Sequence, residues 1–195
     1  MRTFTPMISW HYGEGDTPMP VLGADFHAPA AAGGLAGWRL ATCGADNTVK
    51  MWLAVQSDDR LRMLFLSDLK RHQRTVNCVR FSPNGTALHA APCCLCSFIL
   101  FLCFSFFLLR GAGQWLASAG DDATIILWAL KAGAGPAGNL DGEAEELEHW
   151  SMAATLKGHT EDVLDLAWSP DSRHLLSGSV DNTAIVWDTQ TGTGR

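Results

Sequence analysis

Histidine, serine and aspartate recur in this chain at spacings that suggest nucleophilic chemistry. His159, Ser177 and Asp181 have the side chains of a hydrolase triad, in which an imidazole takes a hydroxyl proton and a carboxylate orients the imidazole. The same roles stand at His72, Ser118 and Asp122 at matching offsets once one interruption is removed. They fit again at His11, Thr42 and Asp46 once two loop extensions totalling 13 residues are allowed. An enzyme needs one nucleophile in one pocket, whereas a repeat architecture needs the same brace in every unit. Each hydroxyl residue lies four positions before its aspartate, and a tryptophan (Trp52, Trp128, Trp187) lies six positions after it. The expectation is structural, with Asp181→Ala lowering folding or solubility rather than a turnover rate.

The elements that carry these residues repeat with them. Leu40 to Trp52 reads LATCGADNTVKMW, Leu116 to Trp128 reads LASAGDDATIILW, and Leu175 to Trp187 reads LLSGSVDNTAIVW. Each holds a small-residue strand, an Asp-containing turn and a β-branched strand ending in tryptophan, the pattern of a fixed-register repeat. Upstream, LKRHQRTVNCVRFSPNG from Leu69 aligns without a gap with LKGHTEDVLDLAWSPDS from Leu156, pairing His72 with His159 and Val76 with Val163. Thr3 to Trp10 is a further candidate strand. Val21 to Phe26 alternates as a half-buried strand does. Trp10, Trp115 and Trp168 are read as packing residues.

Spacing exposes an insertion. His159 to Trp187 is 28 residues, whereas His72 to Trp128 is 56. Removing residues 86–113 joins Asn84-Gly85 to Gln114-Trp115 and restores the register. Within the excess, Cys93 to Leu109 are seventeen residues without a charge, the composition of a membrane span. Geometry opposes a span, because the flanking strands are neighbours in one antiparallel sheet, whereas a spanning helix parts its ends by about 30 Å. A retained intron or gene-model error fits best. The insert's Phe, Leu, Ser, Pro and Cys are residue types encoded largely by pyrimidine-rich codons, the ends permit splice boundaries, and 28 codons keep the frame. A hairpin insertion is the second reading and a membrane-tethered protein the third.

Composition narrows the function classes. The chain has 195 residues, is 47% hydrophobic and carries a formal net charge of -6 without a Lys/Arg cluster. A nucleic-acid backbone is therefore disfavoured as a direct ligand, and a basic protein partner fits better. Cys43 and Cys78 stand alone at strand positions and read as reduced thiols of an intracellular protein. The Cys93, Cys94, Cys96 cluster lacks a second ligand pair for zinc, and no cofactor motif occurs. The N-terminus has no long apolar core of a signal peptide. Between the second and third units lies an acidic run, Asp141, Glu143, Glu145, Glu146 and Glu148, read as a solvated loop or a contact for a basic partner.

Gly158-His159, Ser169-Pro170-Asp171, Asp181-x-Thr183 and Trp187-Asp188 together resemble the WD repeat. The second unit has Arg71-His72 and Trp128-Ala129 at the signature pairs, and the first ends Trp52-Leu53. The resemblance implies an all-β WD40 propeller, with about three four-stranded blades of an expected seven and an apolar insertion in the second. Residues 1–68 hold the N-terminal strand and first blade, 69–130 the second, 131–155 a linker plus strand, and 156–195 the third. It also implies that the aspartate accepts from the histidine, the histidine contacts the hydroxyl, and the hydroxyl reaches the indole N–H. Such a buried network is favourable only when every member is satisfied. Three blades would leave open edges, so aggregation, self-association or dependence on a partner is expected.

The stretches MISWH, PVLGADFH, VNCVRFSPNG and HTEDVLDLAWSPDSRHLLSGSVDNTAIVWD are similar to the family of WD-repeat middle subunits of chromatin assembly factor 1, whose plant form is called FASCIATA 2. The related histone regulator HIRA is the nearest competitor, followed by a generic WD adaptor. This resemblance implies a nuclear, non-enzymatic scaffold in a histone chaperone that acts in replication and repair. Its partners would be the other complex subunits and the tetramer-forming core histones, with no cofactor, metal or direct nucleic-acid contact.

Overall fold

The computed structural model describes residues 11–13, 15–27, 37–57, 60–83, 114–131 and 148–195. Within them, three four-stranded antiparallel sheets follow one another along the chain. The first contains β1 (Val21–His27), β2 (Trp38–Gly44), β3 (Thr48–Ser57) and β4 (Arg60–Lys70). The second contains β5 (Val76–Phe81), β6 (Trp115–Gly120), β7 (Thr124–Leu130) and β8 (Trp150–Lys157). The third contains β9 (Val163–Trp168), β10 (His174–Ser179), β11 (Ala184–Asp188) and the short β12 (Thr193–Gly194).

Each repeated motif is the hairpin at the middle of its sheet. Its first and last residues face each other, as Leu40 with Trp52, Leu116 with Trp128 and Leu175 with Trp187. Strand alternation then sorts the motif onto two faces. The second, fourth, tenth and twelfth residues form a trailing face. In the first sheet these are Ala41, Cys43, Val49 and Met51, which pack with Val79, Phe81, Leu116 and Trp128 of the second. In the second they are Ala117, Ala119, Ile125 and Leu127, which pack with Val163, Leu166, Leu175 and Trp187 of the third. The second sheet is thus covered on both sides, and every residue of β6 is buried.

The turn of each hairpin is set by its own residues. Asn47, Ala123 and Asn182 occupy the same motif position, all in the left-handed region at φ 64°, 56° and 63°. Asparagine tolerates this conformation better than alanine, whose Cβ crowds the neighbouring carbonyl without a compensating local hydrogen bond. Ala123→Asn is therefore expected to raise stability by about 0.5–1 kcal/mol. Thermal denaturation of the two proteins checks this, and an unchanged or lower midpoint contradicts it. Just before the turn, a side chain at Gly120 would sit 2.0 Å from the Thr75 carbonyl oxygen, so only glycine admits that approach.

One boundary differs from those read in the sequence. Trp150–Lys157 closes the second sheet by pairing with β7, so the division at residues 155 and 156 cuts through a strand. The repeating Leu-Lys-x-His signature begins in the outermost strand of one sheet and ends in the next unit, which offsets sequence units from sheets. The third sheet has the expected fourth strand, since β12 pairs with Trp187 and Asp188. Thr3 to Trp10, the apolar insert 86–113 with its four cysteines, and Asp141, Glu143, Glu145 and Glu146 lie outside the described residues. The strands flanking the insert are direct neighbours: Phe81 pairs with Leu116, and the Ser82 amide donates to the Trp115 carbonyl at 3.0 Å. Among the described residues no helix is long and apolar enough to cross a membrane.

Candidate functional site

The structure brings all twelve residues of the three repeated sets together, four in each sheet. The hydroxyl comes from the first strand of the central hairpin, the aspartate from its turn and the tryptophan from its second strand. The histidine comes from the segment leading into the sheet. In the second sheet His72 Nδ1 lies 2.8 Å from Asp122 Oδ2 and Nε2 lies 2.8 Å from Ser118 Oγ, which also accepts from Trp128 Nε1 at 2.8 Å. In the third, the His159 distances are 2.9 Å to Asp181 and 2.7 Å to Ser177, with Trp187 donating to Ser177 at 2.8 Å. In the first, His11 lies 2.7 Å from Asp46 and 3.0 Å from Thr42, and Trp52 donates to Thr42 at 3.0 Å.

Donor counting gives each set one direction. The indole N–H donates to the hydroxyl oxygen, the hydroxyl proton goes to histidine Nε2, and Nδ1–H goes to the carboxylate. These are also the contacts of a nucleophile, base and orienting acid, so distance alone does not separate a brace from a triad. Access does. Ser118 and Ser177 are 0% exposed and Thr42 is 3% exposed, and an indole already occupies one side of each oxygen. An attacking oxygen needs a substrate carbonyl within reach, and a donor-capped interior hydroxyl has no room for one.

Sequence reading missed the locks around the aspartates. Asp122 Oδ1 accepts from the Thr124 amide at 3.1 Å and from its hydroxyl at 2.7 Å, while Oδ2 accepts from the Gln73 amide at 3.2 Å. Thr48 and Thr183 make the same pair of bonds to Asp46 and Asp181. The recurring Asp-x-Thr spacing was the available signal, since a carboxylate accepting from the backbone two residues on forms an Asx-type turn.

These bonds tune the carboxylates of Asp122 and Asp181. Burial works against the charge of Asp122, but hydrogen bonds from His72, Thr124 and the Gln73 amide outweigh it and hold the carboxyl well below its usual range. At Asp181 the Thr183 hydroxyl has the largest effect, and with the Thr160 amide and His159 it overcomes desolvation to the same end. A carboxyl depressed in the folded state contributes stability above its unfolded pKa of about 4, and loses it as pH falls through that value towards the folded one. The melting midpoint is expected to fall steeply below about pH 4, and less steeply in Asp122→Asn. A wild-type midpoint that stays level down to about pH 2 contradicts this.

Other candidate residues fall elsewhere. Burial pushes the Cys43 and Cys78 thiols up to about 12, so both are protonated packing groups rather than nucleophiles. Glu148 was grouped with acids available to a basic partner, but the structure commits it internally. Its carboxylate lies 2.6 Å from Arg39 of β2 and accepts from Trp150 Nε1 at 3.0 Å. A surface cleft of 480 Å³ is lined by Asp121, Asp122, Glu161, Asp162 and Arg74, where the second and third sheets meet. Among the described residues no group of three or more His, Cys, Asp or Glu side chains could hold a metal ion.

Consecutive four-stranded antiparallel sheets, each closed by one histidine–hydroxyl–aspartate–tryptophan brace, define a WD-repeat β-propeller protein. The description "WD domain, G-beta repeat" matches residues 64–98, and "CAF1B/HIR1 beta-propeller domain" matches residues 108–195. Residues 108–195 therefore carry a propeller domain of the CAF1B/HIR1 type. It is 34% identical to the CAF1B-type subunit of chromatin assembly factor 1 of Mus musculus over 98% of its own length and 28% of that protein. It is 35% identical to the chromatin assembly factor 1 subunit FAS2 homolog of Oryza sativa subsp. japonica over 96% of this chain and 28% of that protein. Protein HIRA of the same rice is 35% identical over 80% of this chain and 14% of that protein. The chain therefore spans only 28% of the length of the two chromatin assembly factor subunits.

Proposed function

We propose that this chain is the propeller part of a non-enzymatic scaffold subunit in a nuclear histone chaperone complex, acting in replication- and repair-coupled chromatin assembly. The observation that carries the proposal is the similarity over 98% of the chain to a CAF1B-type subunit of chromatin assembly factor 1. The repeated brace supports the scaffold role, because it places its hydroxyls inside the sheets and leaves the outer loops for partners. The other subunits of the complex and the tetramer-forming core histones are the proposed partners. A net charge of -6 and the acidic cleft between the second and third sheets suit a basic protein, and they do not suit direct nucleic-acid binding. Asp141, Glu143, Glu145 and Glu146 are proposed as further contacts for that partner. Glu148, paired with Arg39, is not.

Affinity purification of the tagged chain from nuclear extract, followed by mass spectrometry, tests this reading. Recovery of core histones with a large charged chaperone subunit is expected. Recovery of a cullin or splicing assembly in their place overturns it and makes the chain a general WD adaptor. A HIRA-like histone regulator is the second reading, favoured by the 35% identity to rice protein HIRA, but that match covers 80% of the chain against 98%.

A further inference from the structure

Residues 60–80 hold six of the chain's 14 Lys and Arg residues, Arg60, Arg62, Lys70, Arg71, Arg74 and Arg80, against one acid, Asp68. A net charge of -6 for the whole chain hides this local excess. The structure neutralises only part of it. Arg80 pairs with Asp165 at 2.9 Å, and Asp68 is shared between Lys50 and Lys70, each at 3.0 Å. One carboxylate between two ammonium groups leaves that cluster cationic. Arg71 and Arg74 are exposed, and among the described residues neither side chain forms a hydrogen bond or an ion pair.

Lys70 ends β4, and Arg71 and Arg74 lie in the loop to β5, whose backbone is held fixed. His72, between the two arginines, is clamped by Asp122 and Ser118. The Gln73 amide donates to Asp122, and its carbonyl accepts from the Asn47 side chain of the first sheet. The Thr75 carbonyl accepts from the Asp121 amide at 2.9 Å. The fold does not require the charges, because the third sheet forms the same brace with Gly158 and Glu161 at the positions of Arg71 and Arg74. This loop stands at an end of the sheets, between two that are both present, so a further sheet packed on either outer face leaves it uncovered.

We infer that Lys70, Arg71 and Arg74 form a docking surface for an acidic segment of a partner polypeptide. Arginine presents a planar fork that matches a carboxylate, and a loop already fixed in place reduces the ordering cost of binding. A nucleic acid is the wrong polyanion here. Three cations neutralise few phosphates, and Arg74 borders the cleft lined by Asp121, Glu161 and Asp162, which repels a backbone charged at every nucleotide. A polypeptide can end its acidic run at that border. The inference does not depend on which complex the chain serves, and it adds an acidic partner segment to the basic partners proposed above.

Fluorescence anisotropy of the full chain with a labelled octaglutamate peptide tests the inference. Binding is expected at low salt, weakening as ionic strength rises. Arg71→Glu/Arg74→Glu is expected to weaken it at least about tenfold. Lys131→Glu/Arg173→Glu makes the same change in net charge at the opposite end of the sheets and is expected to stay within about twofold of the wild type. Absence of peptide binding overturns the inference, as does an equal loss in both double variants. Tighter binding of a short labelled DNA duplex through the same two arginines also overturns it, in favour of a nucleic-acid site. Cooperative melting shows that the variants are folded, and Arg71→Gln/Arg74→Gln replaces the charge reversal if it fails that check.

Discussion

Trp128→Ala is expected to lower the unfolding free energy by about 3–5 kcal/mol, a large part of the roughly 5–15 kcal/mol that holds a typical domain together. Trp128 is 3% exposed and packs in the core shared by the first and second sheets. Its indole also donates to Ser118, which in turn holds His72. Removal therefore opens a cavity and leaves an interior hydroxyl short of a donor. Trp128→Phe separates the two effects, since it keeps most of the ring and loses the N–H, and should cost about 1–3 kcal/mol. Urea unfolding followed by circular dichroism measures both. A Trp128→Ala protein that unfolds at the wild-type midpoint contradicts the expectation, as does a phenylalanine variant as damaged as the alanine one.

Deletion of residues 86–113 is expected to leave the second sheet intact and to raise its stability. The flanking strands already meet through Phe81, Leu116 and the Ser82–Trp115 hydrogen bond, so the connection has only a short gap to bridge. Cutting it from about 33 residues to about five reduces the closure entropy by roughly 1.5 kcal/mol, or a melting shift of about 3–6 °C at this chain length. Solubility should rise as well, because seventeen consecutive uncharged residues are removed. Gln114 stands at the join with its side-chain amide buried and neither polar atom hydrogen-bonded, as expected where a connection is poorly fitted to its sheet. A deleted protein that loses cooperative melting would make the segment an integral part of the fold.

The hairpins were legible because their faces repeat. Three copies of one motif at one register show both the strands and the turn, and they reassign a Ser–His–Asp pattern that would mislead if it occurred once. What sequence reading could not reach is pairing across long separations. Arg39 meets Glu148 at 109 positions distant, and Asp25 Oδ2 accepts from the Phe81 amide across 56. No local periodicity encodes either contact, since each depends on how one sheet stacks on the next. The partner of β8 is hidden for a similar reason: WSMAATLK has the alternation of a strand but nothing that names its neighbour, and β7 is fixed as that neighbour only by the sheet. Glu148 shows the cost of reading composition alone, because its place in an acidic run hid an internal ion pair.

We propose that the three histidine–hydroxyl–aspartate–tryptophan sets act as equivalent structural braces, and that equivalence supports the scaffold reading. The most direct test is the urea-unfolding midpoint of Asp46→Ala, Asp122→Ala and Asp181→Ala, measured side by side with the recovery of bound partners. All three variants are expected to unfold at lower urea than the wild type, with partner recovery falling only in proportion to the folded fraction. Two variants with wild-type midpoints, beside a third that is fully stable and has lost a function, would restore the single-site reading and contradict the equivalence.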